Sequence, residues 1–143
     1  MRILFLTDLH SVLHFVPQLR DRERDIDLCL LGGDFTNFRG EAEARRMLAP
    51  LRDAFPRVRA VAGNTDRAPV SALLEREGLS LHGRGEAWQG LWLSGMSGSN
   101  ITPVHAPTEH TEREITALLE AGAPAHRDPA TPWILMTHVP PRD

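Results

Sequence analysis

The 143-residue sequence has no lysine, so all sixteen of its basic residues are arginine, and it has a single cysteine. One thiol excludes an internal disulfide. Cys29 lies in the apolar run Ile26-Asp27-Leu28-Cys29-Leu30-Leu31 and reads as a small core residue rather than a redox group. No stretch approaches the roughly 20 apolar residues of a membrane span. Residues 1–6 are too short for a secretory signal and run straight into Thr7-Asp8 instead of a cleavage site, so a cytoplasmic protein is expected. A basic block is also missing: the net charge of -3 comes from signs spread along the chain, which argues against nucleic acid as a partner. What remains is 41% hydrophobic and 24% charged, an ordinary globular composition sized for a single domain over residues 1–143.

The apolar run 3–7 reads as a strand buried on both faces and ends at a charge. A helix over 15–24, a second buried strand over 28–31 and a helix over 41–55 follow, with Pro50 bending or ending that helix. A third strand spans 58–62. A helix over 66–77 comes next, with Asp66 as its expected cap. The segments 79–82, 86–88 and 91–94 are separated by glycines and predict an antiparallel meander. After a loop over 95–107, a helix over 111–121 carries Thr111 and Glu114 at capping-box spacing, and 133–136 is the last strand. Strands alternating with helices predict an α/β domain that begins βαβαβ.

The chemistry gathers at the carboxyl ends of these strands, where open α/β sheets bind ligands. Those ends read Asp8-Leu9-His10, Gly33-Asp34, Gly63-Asn64 and Thr137-His138. The intervals between Asp8, Asp34 and Asn64 are each close to one βαβ unit of about 30 residues, which brings the three side by side. In an extended segment, Asp8 and His10 leave on the same face. Carboxylate, imidazole and amide oxygen without thiolate favour Mn, Fe or Zn over soft-metal chemistry. One carboxylate between two such groups can bridge two ions, which together polarise a phosphoryl group and hold a hydroxide nucleophile.

With these motifs in place, the chain resembles the calcineurin-like metallophosphoesterase family, with Thr7-Asp8-Leu9-His10, Gly33-Asp34, Gly63-Asn64-Thr65-Asp66 and Thr137-His138-Val139-Pro140-Pro141 as anchors. The resemblance implies a sandwich of two mixed β-sheets flanked by helices. It implies two divalent metal ions, with Asp8 and His10 on the first, Asp34 bridging, and Asn64 and His138 on the second. It further implies a hydrolase that cleaves a phosphomonoester or phosphodiester through a metal-bridging hydroxide, with Asp34 and Asn64 as catalytic residues.

Two departures qualify that implication. The family's Gly-His-x-His, expected after Thr137-His138-Val139-Pro140-Pro141, does not occur in the 143 residues. Two expectations stay open: a longer polypeptide that supplies the missing imidazoles, or a shorter protein in which each metal lacks one, the sheets lack their last strands and a homo-oligomer is one way of covering the exposed edges. Thr65 stands where the family often has histidine, and a hydroxyl cannot act as a general acid near pH 7. Thr65, Arg39 and Asn100 are the candidate contacts to a small phosphoester substrate, with Arg67 a weaker one. His14, His82 and His126 read as ordinary surface imidazoles, whereas His105 and His110 are kept as exceptions because Gly98-Ser99-Asn100-Ile101-Thr102-Pro103 is similar to a loop near the site in some family members. The competing expectations are a catalytically weak binding scaffold on the same fold and, with poor support from Gly95-Met96-Ser97-Gly98, a nucleotide-binding domain.

Overall fold

The computed structural model describes residues 1–23 and 25–140. Three parallel strands, β1 (Ile3–Leu6), β2 (Leu28–Leu31) and β3 (Val58–Ala60), form the first sheet in the order β1-β2-β3. The crossovers between them carry α1 (Val16–Arg22) and α2 (Glu41–Ala54), and α3 (Ala68–Arg76) follows β3. The first sheet's helix-facing side chains, among them Cys29, Leu31 and Ala60, pack into Ala44, Met47, Leu51, Val70 and Leu73. Burial pushes the Cys29 thiol up to about 12, which leaves it an inert core group.

The second sheet is mixed. β4 (Arg84–Trp88) pairs antiparallel with β5 (Leu91–Met96), and β5 pairs parallel with β8 (Trp133–Thr137). Its inner side chains Leu91, Leu93 and Met136 meet Leu28, Leu30 and Val61 of the first sheet, so the second core lies between the sheets. Between β5 and β8 run a two-residue parallel ladder of β6 (Ser99–Asn100) with β7 (Glu109–His110), and α4 (Glu112–Gly122). The architecture is therefore the expected α/β sandwich with helices outside.

Several expectations are corrected. Among the described residues β1 is an edge strand and not a doubly buried one, and Phe5, on its inter-sheet face, is 51% exposed because no described strand of the second sheet lies over it. The 79–82 segment takes no part in an antiparallel meander. It makes parallel bridges, Ala60 with Ser80 and His82 with Gly95, and so stitches the two sheets along the margin away from β1. α2 runs through Pro50 to Ala54, since the proline falls in the last turns and buried Leu51 holds the helix to the core. Asp66 does not cap α3, whose N-cap is Arg67. The capping box is present: the Glu114 backbone N–H donates to Thr111 Oγ1 and the Thr111 N–H to Glu114 Oε2. No described helix is long and apolar enough to cross a membrane.

Candidate metal centre

The loops after β1, β2 and β3 are laced together by their backbones before any side chain is considered. Asp8 N–H donates to Gly33 O, His10 N–H to Asp34 O and Ser11 N–H to Phe35 O. These bonds require left-handed backbone: Asp8, His10, Ser11 and Asp34 have φ of 55°, 43°, 68° and 51°. Asp and His tolerate that region better than most residues. Strand alternation therefore does not align Asp8 with His10, since neither is in a strand; a tight turn does it.

The result is a convergence on Asp34. Its Oδ2 lies 3.7 Å from His10 Nε2 and its Oδ1 3.4 Å from His138 Nε2, while Asp8 Oδ1 lies 3.8 Å from His10 Nε2. Ligand atoms of Asp8, Asp34 and His138 all fall within 4.8 Å of one another. Asn64 Oδ1 completes the far side, 3.1 Å from His138 Nε2. Asp34 and His138 form a buried floor and Asp8 and His10 an exposed mouth.

The tautomer of His138 tests whether this group fits a cation. Its Nδ1 is 2.8 Å from Gly32 O, a carbonyl that can only accept, so the ring proton belongs on Nδ1. In that tautomer the Nε2 lone pair points toward two oxygens, Asn64 Oδ1 and Asp34 Oδ1. With the amide oxygen turned inward as it is here, three acceptors face one point, and a positive centre among them satisfies all three. The donor set fits a divalent ion.

Close approach is obtained with glycine. A Cβ at Gly63 would collide with the Asp34 carboxylate and backbone nitrogen, and one at Gly33 (φ 99°) would stand 2.8 Å from His138 Nδ1. Asp66, three residues after Gly63, binds this packing together. Fully buried, it accepts from the N–H groups of Gly63, Phe35 and Thr36 and from the Thr36 hydroxyl. Desolvation raises its pKa even against those four donors. The sequence reading missed this clamp; the signal was an acid at i+3 from a strand-end glycine, which suits a local side-chain bond to the backbone as well as a helix cap.

The other candidates are placed as follows. Thr65 donates its N–H to Asp34 Oδ1 and its hydroxyl to Thr36 O. Arg39 is exposed beside the start of α2, with its backbone tied to the Thr36 hydroxyl. Asn100 is exposed on β6, with its Nδ2 3.3 Å from Ile101 O. Neither has a described bond to the Asp34 cluster. His14 and His126 are exposed as expected and His105 is exposed too, but His82 is not a free surface imidazole: it and His110 are both half-buried and stacked, with ring centroids 5.4 Å apart. Pro141, the last residue of the fourth motif, lies outside the described residues.

The calcineurin-like phosphoesterase profile matches residues 1–143. The chain belongs to that family. It is 34% identical over 115 residues to an uncharacterized protein of Methanocaldococcus jannaschii, an alignment covering 80% of this chain and 51% of that protein. The chain thus spans about half the length of this curated relative. A solved crystal structure superposes with a TM-score of 0.75 at 11% identity, covering 99% of this chain and 70% of its own, which shows the shared fold. Family members are generally phosphoester hydrolases that bind divalent metals, and Asp8, Asp34 and His138 form a group whose geometry could hold such an ion.

Proposed function

We propose that this chain is a divalent-metal-dependent phosphoesterase domain acting on a phosphomonoester or phosphodiester. The observation that carries the reading is the division of Asp34: one carboxylate oxygen serves the His10 side and the other the His138 side. In this reading Asp8 and His10 hold one ion, Asn64 and His138 a second, and Asp34 bridges them. Two ions of the manganese, iron or zinc type suit these ligands. Bound ions supply Lewis acidity toward the phosphoryl oxygens and a nucleophile at neutral pH.

The chain's own residues do the rest. Gly32 O fixes the His138 tautomer, Thr65 N–H fixes the rotamer of Asp34, and Asp66 holds the second and third motif loops at their spacing. Arg39 and Asn100 are the exposed donors offered to the phosphate or its substituent. Position 65 has no group able to protonate a leaving oxygen, so esters of acidic alcohols and phenols are turned over faster than alkyl esters. A second reading, a scaffold that binds a phosphoester without turnover, is favoured by one observation: the Thr65 hydroxyl is already spent on Thr36 O.

Asp34→Asn tests the proposal. Elemental analysis and hydrolysis of an aryl phosphodiester with excess Mn²⁺ should fall together, by at least about 100-fold in turnover, because an amide cannot supply the bridging charge. Undiminished hydrolysis would put the chemistry elsewhere. Stoichiometric metal with no hydrolysis in the parent chain would favour the scaffold.

A further inference from the structure

One planar peptide unit links the candidate metal centre to the second half of the chain. The Asn64–Thr65 peptide donates its N–H, at 3.0 Å, to Asp34 Oδ1, the carboxylate oxygen on the His138 side. Its carbonyl points the opposite way, as a trans peptide requires, and accepts from the Thr108 N–H at 3.3 Å. Asn64 also carries the Oδ1 that lies 3.1 Å from His138 Nε2. The tilt of this single plane therefore bears on the position of Asn64 and the rotamer of Asp34 together.

Thr108 controls that tilt from outside the motif. An N–H···O separation of 3.3 Å is long, so this bond alone holds the peptide weakly. The Thr108 hydroxyl makes the firmer contact, donating to Asp66 O at 2.7 Å, the ordinary length of a good O–H···O bond. With residues 64 and 66 both gripped by one residue, the segment between them cannot rotate without breaking a bond. Asp66 is fully buried, so its carbonyl has no water to turn to if the hydroxyl is lost.

Thr108 is itself held. Ser99 N–H donates to Thr108 O across the β6–β7 ladder, and Gly98 N–H donates to Ala62 O just beyond β3. Glu109 Oε1 gathers the turn that precedes Thr108, accepting from the Thr102 N–H and hydroxyl and from the Ala106 N–H. A Cβ at Gly98 would stand 2.7 Å from Thr108 Cγ2, so the threonine methyl lies directly over this glycine. A ladder of two residues per strand adds little to a sheet, but it sets Thr108 against the third motif as a brace.

We propose that Thr108 is a positioning residue, which orients the Asn64–Thr65 peptide and through it the metal-facing oxygens of Asn64 and Asp34. This deepens the phosphoesterase reading and rests on it for the identity of the ligands. Thr108 acts through the backbone of the third motif, so its signature belongs in the geometry of the metal-free loop and in metal affinity.

The test reads both. In the ¹⁵N-labelled, metal-free chain the Thr65 amide proton resonance reports its bond to Asp34, and titration calorimetry reports Mn²⁺ affinity. Thr108→Val keeps the branched shape without the hydroxyl. It should move the Thr65 resonance upfield, toward a weaker bond, and lower Mn²⁺ affinity about tenfold, the order expected when a ligand loses its supporting partner. Thr108→Ser restores the hydroxyl and should return both readings to parental values. Thr116→Val removes a comparable hydroxyl bond, to Glu112 O within α4, and should change neither. Should Thr108→Val not fold, Thr108→Ala against Thr108→Ser makes the same comparison with the methyl absent from both. A merely structural threonine would lower the thermal transition on loss of the hydroxyl while the Thr65 resonance and Mn²⁺ affinity stayed parental, and that result would overturn the proposal. So would a serine variant as impaired as the valine one, which would assign the effect to the methyl over Gly98. Failure of the phosphoesterase reading looks different: Mn²⁺ binding would be absent or unaltered by Asp34→Asn, while the Thr65 resonance still responded to loss of the Thr108 hydroxyl.

Discussion

The two halves of the molecule bury themselves to different degrees. In the first, α2 buries Ala44, Met47, Leu48 and Leu51 and α3 buries Val70, Leu73 and Leu74 against the parallel sheet. In the second, α4 buries only Gly122, where the chain passes under Trp92, whose indole N–H donates to the Gly122 carbonyl. Helix-to-sheet burial is the main source of stability at about 25 cal/mol per Å² of apolar area, so the first half is the firm one. The site straddles this difference. Asp8, His10, Asp34 and Asn64 come from the firm half, and His138 arrives from β8 at an open margin. Metal binding at Asp34 and His138 would therefore tie the loose half to the firm one.

The largest expected effect comes from loosening the firm half at its clamp. Asp66→Asn keeps the volume but turns an acceptor of four bonds into a group that accepts with only one oxygen. Buried N–H groups of Phe35, Thr36 or Gly63 then go unpaired, at a cost of about 2–3 kcal/mol. Chemical denaturation should show that loss, and metal affinity should fall by about 10–100-fold because the Asp34 and Asn64 loops lose their spacing. A variant with parental stability and metal affinity would show that the clamp is dispensable.

Much of this firm half was legible in the sequence, because its strands end at the motifs and its helices have regular apolar spacing. Leu28 to Leu31 is a continuous apolar run and is buried along its whole length. The second half was less legible for physical reasons. The 79–82 segment alternates as an antiparallel strand would, yet its pairing partners are the distant Ala60 and Gly95, and no local pattern encodes that. Within the site, residue identities at strand ends could be read, but the left-handed turn that joins Asp8 to His10 could not, since a sequence spacing of two fits a strand equally well. The stacking of His82 on His110 joins residues 28 positions apart. It carried no local signal.

A smaller effect should come from the loose half. Thr111→Ala removes the side-chain acceptor for Glu114 N–H and half of the capping box, which costs about 1 kcal/mol. Because α4 is thinly buried, the loss should appear as faster amide exchange confined to 112–122, with β1 to β3 unaffected. Uniform acceleration across both halves would mean that they unfold as one unit and that the comparison drawn above is false.

The smallest effect concerns the His82–His110 pair, where the ladder that anchors the third motif meets the second sheet. His82 Nδ1 accepts from Ser97 N–H, and Ser97 Oγ in turn accepts from Ala62 N–H at the end of the first sheet. Burial holds the His82 pKa below its ordinary value of 6.5, helped by His110 and Arg84 and opposed by Glu75. The unfolded chain therefore takes up this proton at a higher pH than the folded one. Stability is full above about pH 6.5 and declines as pH falls through that value toward the lower folded pKa. Protonation at Nδ1 also breaks the Ser97 bond, so the decline should be felt in the ladder first. His82→Gln offers Ser97 an uncharged acceptor and should flatten the fall in thermal transition between about pH 7 and pH 5. A variant that keeps the full parental fall would assign the acid sensitivity to other groups and leave the stacked pair a packing contact between the two halves.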